Sequence, residues 1–167
     1  MWYVIQARAK HEMDVVERCR SDVLIPGENI FVMKTERMYK RHGEWKMIED
    51  VTFQKYIFAE TDDTDDFRIR LRNVKDITKM LGVGDDIVPI RQEEEELLLK
   101  LGGNEHLIRF SLGFVVGDRL MVTDGPLKGL EGRVKWIDRH QRVVGMESDL
   151  MGTSVPIKVG CEIVKRI

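Results

Sequence analysis

Gly117-Asp118-Arg119-Leu120-Met121-Val122-Thr123-Asp124-Gly125-Pro126-Leu127-Lys128-Gly129-Leu130-Glu131-Gly132-Arg133-Val134 is the stretch on which the reading of this sequence turns. Leu120 and Val122 alternate inward on one strand, and Asp124-Gly125-Pro126 supplies a tight turn. Gly125, Gly129 and Gly132 allow positive φ or a close backbone approach, and Val134 opens the return strand. The stretch is therefore expected as a hairpin. Around it lie short apolar runs at Val115-Val116, Gly132 to Ile137, Val143 to Met146, Val155 to Val159 and Ile163-Val164, parted by Gly, Asp and Pro. Short strands at this spacing, with no helical stretch between them, predict a small all-β barrel.

Upstream the periodicity changes. Trp2 to Ala7 is aromatic and β-branched and reads as a strand entering the core at once. From His11 to Asp22 the spacing of Met13, Val16 and Cys19, continued by Val23, predicts an amphipathic helix, which Pro26-Gly27 follows as a break. Ile30 to Lys34 reads as a strand, Thr35 to Lys46 as an exposed hairpin or loop centred on His42-Gly43, and Val51 to Ala59 as a returning strand. Thr64 is the expected cap of a helix with Asp65 and Asp66 in its first turn and a buried stripe of Phe67, Leu71 and Val74. Ile77 to Leu81 reads as a strand. Arg91 to Leu101 reads as a last helix, closed by Gly102-Gly103, with a linker around 102–106. The expected organisation is thus an α+β domain over 1–103, an antiparallel sheet flanked by helices, and a β domain over 104–167.

Bulk properties narrow the class. The 167 residues are 43% hydrophobic and 34% charged, a globular rather than a disordered profile. No run of about 18 apolar residues exists, the N-terminus lacks the pattern of a signal peptide, and Cys19 and Cys161 are too few for a disulfide scaffold. A cytoplasmic location and a monomer without membrane contact are expected. The net charge of −2 divides unevenly: residues 1–115 carry 18 Lys+Arg and 22 Asp+Glu, residues 116–167 carry 9 and 7. Halves of opposite sign suit different partners.

The segment from Gly117 to Val134 resembles the KOW motif, a hairpin of NusG-type factors and of some ribosomal proteins. Trp2-Tyr3-Val4-Ile5-Gln6 followed by a helix looks like the start of the NusG N-terminal (NGN) domain. Phe53-Gln54-Lys55-Tyr56-Ile57-Phe58-Ala59 stands where that domain reads Phe-Pro-Gly-Tyr-Val-Phe-Val, with the Pro-Gly pair replaced by Gln54-Lys55. The resemblance covers nearly the whole chain. Leu127 to Gly132 and Ile137-Asp138-Arg139-His140-Gln141-Arg142 further resemble LoaP-type antitermination paralogues.

The resemblance implies a transcription antitermination and elongation factor. Its N-terminal domain would bind RNA polymerase at the clamp helices, with Phe53, Tyr56 and, in support, Tyr3 as expected contacts; for Phe53 and Tyr56 core packing is an equal alternative. The loop from Arg37 to His42 is either solvated or reaches the opposing lobe or upstream DNA. The KOW domain would bind nascent RNA, a structured hairpin, through Lys128, Arg133, Lys135, Arg139, His140 and Arg142, arginines serving for bidentate phosphate contacts. A solvated charged face is the alternative. In the general factor this domain meets the termination factor Rho or a small-subunit ribosomal protein through Leu150 to Pro156. Here the family's aromatic is Met151, which puts both partnerships in doubt.

Enzymatic readings find no support. His11-Glu12 begins like a zinc-protease helix, but Val15 stands where a second histidine is needed. Asp62 to Asp66 lacks the glycine and distal glutamate of a calcium loop, and Gly125 to Gly129 lacks the ending of a phosphate loop. No catalysis, metal or cofactor is expected. Two other functions stay open: a general elongation factor whose KOW domain recruits proteins, and a ribosome-associated RNA binder.

Overall fold

A computed structural model describes residues 1–164. In chain order it runs β1 (Tyr3–Ala7), α1 (Glu12–Asp22), β2 (Asn29–Phe31), β3 (Lys34–Arg41), β4 (Glu44–Val51), β5 (Tyr56–Glu60), α2 (Thr64–Leu71) and β6 (Ile77–Met80). The short pair β7 (Gly82–Val83) and β8 (Asp86–Ile87) and then α3 (Gln92–Gly102) follow. The remainder is β9 (Leu107–Ile108), β10 (Ser111–Val116), β11 (Arg119–Asp124), β12 (Trp136–Asp138), β13 (Val143–Leu150) and β14 (Thr153–Ile163). The α+β first part and β-rich second part are as the periodicities predict. Two compact units emerge among the described residues, one of 1–33, 53–96 and 149–153, the other of 34–52, 97–148 and 154–164.

In the first unit an antiparallel sheet has the order β2-β5-β1-β6, with Val4 opposite Phe58 and Gln6 opposite Tyr56. Trp2, Phe31, Phe53 and Phe58 form one aromatic cluster. Trp2 meets Phe31 edge-on at 4.9 Å, Phe31 stacks on Phe58 at 5.7 Å, and Phe53 meets Phe58 edge-on at 5.8 Å. Such pairs add about 0.5–1.5 kcal/mol each beyond the area they bury. Helix α1 turns Val15, Val16 and Cys19 inward, with Glu12 rather than Met13 completing the buried face. Helix α2 is capped not by Thr64 but by Asp63, whose Oδ1 accepts the Asp66 N–H at 3.1 Å; Thr64 is already the first helical residue. The expected strand from Val51 to Ala59 is broken at residues 52–55, which turn between β4 and β5.

Glu28 secures the break after α1. Its carboxylate receives both Nη1 and Nη2 of Arg70 at 2.7 Å, the Thr61 hydroxyl at 2.7 Å and the Ile25 N–H at 3.0 Å. Arg70 also bonds the carbonyl of Val23. Burial alone would push the Glu28 carboxyl up, but the Arg70, Thr61 and Ile25 hydrogen bonds outweigh it and hold it down at about 2.

In the second unit β3 and β4 pair over their whole length, from Lys34 opposite Val51 to Arg41 opposite Glu44. The two-residue turn His42-Gly43 has φ of 52° and 80°, the primed geometry that matches strand twist. β9 joins this hairpin in parallel at Lys34 and Thr35. Residues 102–106 are ordered as the end of α3, a 3-10 turn over Gly103–Glu105 and a left-handed His106. The second sheet has the order β11-β10-β14-β13-β12 over a core that includes Leu120, Val122, Leu127, Val144, Met146, Ile157 and Val159. Gly125 is required twice over, since its φ is +103° and a Cβ there would lie 2.6 Å from the Ser111 Cα. Gly132 has neither need: its φ is not positive and nothing lies within 4 Å of a Cβ. The return strand begins at Trp136 rather than Val134, because Glu131–Arg133 forms a 3-10 turn first.

A carboxyl lowered from 4.5 to about 2 adds stability that is complete above about pH 4.5 and disappears as pH falls through about 2. The wild-type chain should therefore melt above Glu28→Gln at pH 7, with the gap closing between pH 4.5 and 2. Thermal melts across that range check this, and a gap independent of pH would contradict it.

Candidate polymerase and nucleic-acid interfaces

The expected polymerase contacts divide between the two faces of the first sheet. Cross-strand pairing puts Tyr56 with Gln6, Val4 and Phe58 on one face, and Tyr3 with Ala59, Ile5 and Ile57 on the other. Phe53 is 1% exposed with its ring edge-on to that of Phe58, and Tyr3 is buried. Tyr56 is half-buried and gives the most surface of the three.

What holds this corner was invisible in the sequence. Glu12, buried on α1, accepts the Lys55 N–H at 2.8 Å and the Lys10 N–H at 3.3 Å through Oε1. Both lysines are left-handed, with φ of 74° and 68°. The Tyr56 N–H closes the turn on the Phe53 carbonyl at 3.2 Å, and Ala7 donates to the Lys55 carbonyl at 2.8 Å. Lys55 occupies the glycine position of the Phe-Pro-Gly-Tyr pattern. An L-residue there costs roughly 1–2 kcal/mol, and a hydrogen bond to a charged carboxylate contributes roughly 1.5–3 kcal/mol, enough to offset it.

The six expected RNA-binding cations fall in three places. Arg139, His140 and Arg142 share the β12–β13 turn, where Asp138 accepts the Gln141 N–H at 2.9 Å. Lys128 and Arg133 are exposed on the β11–β12 connection. Lys135 lines an open groove of about 700 Å³ with Arg119, Met121 and Trp136, where the edge strands β11 and β12 face each other. Arg139 and His140 are exposed, whereas Arg142 is half-buried with its guanidinium 4.5 Å from the Trp45 ring of the β3–β4 hairpin. Lys40 lies 5.8 Å from the same ring. Spacing gave no hint of Trp45, which pairs across the hairpin with Lys40 and far along the chain with Arg142. Met151, standing for the family's aromatic, is half-buried at φ 57° in the β13–β14 turn. The Cys19 and Cys161 thiols are pushed up to about 11 by burial, so they stay protonated at neutral pH. No helix among the described residues is long and apolar enough to cross a membrane.

An antiparallel sheet with helices, followed by a small β-rich part with a Gly-Pro hairpin, defines the class: the two-part α+β fold of NusG-type proteins. The sequence model of the family described as transcription termination factor NusG matches residues 1–99, and the chain belongs to the NusG family. Relatives named transcription termination/antitermination protein NusG match nearly end to end. That of Campylobacter jejuni is 21% identical over 178 residues, covering 99% of this chain and 97% of the relative. That of Bacillus subtilis is 25% identical over 166 residues, covering 95% and 93%. The solved NusG of Thermotoga maritima, described for its domain interaction, superposes with a TM-score of 0.55 at 22% identity, over 95% of this chain and 92% of that one. That likeness concerns the fold.

If the Glu12 carboxylate holds the Phe53–Tyr56 turn, Glu12→Ala costs about 2–3 kcal/mol in urea unfolding, and adding Lys55→Gly to that variant restores about 1 kcal/mol. A Glu12→Ala chain as stable as wild type would remove the carboxylate from this role.

Proposed function

We propose that the chain is a transcription antitermination and elongation factor of the LoaP type, with residues 1–103 acting as the polymerase-binding domain and 104–167 as an RNA-binding KOW domain. The observation that carries the RNA half is the β12–β13 turn, which gathers Arg139, His140 and Arg142 within four residues of a β-rich unit. Family membership supports the polymerase half. Tyr56, in the turn that Phe53 opens, offers an aromatic anchor of the kind that dominates protein interfaces; Tyr3 contributes from the opposite face by holding the strand. The partner is the helical pair of the polymerase clamp, and closure of that cleft opposes termination. Lys128, Arg133 and Lys135 extend the basic surface away from the turn.

One observation favours a second reading, a general factor whose KOW domain recruits proteins. Val116, Met121 and Trp136 are 49%, 48% and 43% exposed, an apolar share of surface more useful to a protein than to a polyanion. The ribosomal reading is the weakest, because it leaves the family match over residues 1–99 without a purpose.

The discriminating experiment measures full-chain binding to structured leader RNA from the chain's own operon against a scrambled RNA, across a salt series. Preferential, salt-sensitive binding that Arg139→Ala/Arg142→Ala weakens strongly is the expected result. Weak binding to both RNAs would move the function to protein recruitment. In parallel, Tyr56→Ala should weaken capture of RNA polymerase without altering RNA binding; equal capture would remove Tyr56 from that contact.

A further inference from the structure

We propose that the nucleic-acid surface is not confined to the β12–β13 turn but continues onto the tip of the β3–β4 hairpin, forming one basic ridge that grips the phosphate backbone of folded RNA. The inference rests on the RNA-binding reading above and adds Lys40, Arg41, His42 and Trp45 to it.

Trp45 is the joint. Arg142 lies over its ring at 4.5 Å and Lys40 at 5.8 Å, so a single indole carries one cation from each segment. Cation–π attraction of this kind brings together groups that would otherwise repel. Arg142 is held in place from its backbone as well: it is left-handed at φ 58°, and its carbonyl accepts the Cys161 N–H at 2.9 Å. It therefore acts as a positioning residue for the turn. The base of the hairpin is equally fixed. Lys34 and Thr35 pair with Leu107 and Ile108, and the Glu36 carboxylate accepts the Phe110 N–H at 3.0 Å. Gly160 leaves room for the Glu36 carbonyl, which a Cβ would approach to 2.4 Å.

The exposed cations of the ridge form no ion pair among the described residues, although Glu44 stands opposite Arg41 across the hairpin. Arg37, Arg91 and Arg109 each meet a carboxylate, at 2.6, 3.0 and 2.6 Å. Among the described residues no carboxylate lies within ion-pair distance of Lys40, Arg41, His42, Arg139 or His140, all of them exposed. Asp138, the acid of the turn, accepts the Gln141 N–H and lies within ion-pair distance of none of these cations. Cations clustered without partners on rigid elements fit a polyanion. With Arg142 over its ring, Trp45 is poorly placed to stack a base, so the ridge suits the phosphates of a duplex stem rather than the bases of a single strand.

The test compares the full wild-type chain with Lys40→Ala/Arg41→Ala, Arg139→Ala/His140→Ala and the charge-neutral Trp45→Leu, in salt-titrated binding to the leader RNA hairpin, with scrambled RNA and a DNA duplex of the same sequence as competitors. Lys40→Ala/Arg41→Ala should lower the slope of log affinity against log salt by about two and Arg139→Ala/His140→Ala by about one, one for each permanent cation removed. Trp45→Leu should weaken binding several-fold although it removes no charge. If the hairpin variant binds like wild type while the turn variant does not, the ridge is wrong and the KOW reading survives. If wild type shows no preference for the leader RNA, both fall. Equal competition by DNA would overturn the assignment to RNA, and an unaffected Trp45→Leu would overturn the joint.

Discussion

A buried carboxylate fixes the path of the chain where the first sheet resumes. After β2 the chain departs into the β3–β4 hairpin and must return at residues 52–55 to lay down β5, the strand between β2 and β1. The return needs a left-handed residue, and this chain places a lysine there rather than a glycine. Glu12, projecting from α1, takes the N–H of that lysine and of Lys10. Through this one side chain the helix, the β1–α1 connection and the start of β5 acquire a common geometry. Phe53 is thereby set against Phe58, and the aromatic cluster around that ring is completed.

A different physical principle organises the other unit. Its hairpin and its β12–β13 turn bring like charges together, which costs Coulombic energy unless something compensates. Part of the compensation is internal, in the Trp45 ring between Lys40 and Arg142. The rest is left to whatever binds, which is why the uncompensated cations are more informative than the chain's net charge of −2. Global charge would argue against a nucleic-acid partner; local charge on ordered backbone argues for one.

The difference between local and distant constraints also explains what the sequence disclosed. The Gly-Pro turn, the existence of α1 and α3 and the His42-Gly43 hairpin are set by residues within a few positions of each other and are legible, although α1 buries Glu12 where Met13 is expected. The cap of α2 falls one residue before the expected Thr64, because Asp63 and Thr64 are both competent caps and only the backbone decides between them. The break between β4 and β5 was missed because Gln54-Lys55 carries no turn signal; its cause lies on another element, at Glu12. Gly132 illustrates the reverse, a glycine in a recognisable motif for which the fold shows no conformational need. At the candidate site the basic residues could be named, but not their division among a turn, a connection and a groove. The Trp45–Arg142 contact joins residues that no periodicity relates.

The most direct test of the account is an in vitro transcription assay across an intrinsic terminator, with the wild-type chain and its cognate RNA polymerase, on templates that carry or lack the structured leader. Readthrough should rise when the chain is added to the leader template and not when the leader is scrambled. Equal readthrough on both templates would contradict an RNA-guided antiterminator and leave a general elongation factor in its place.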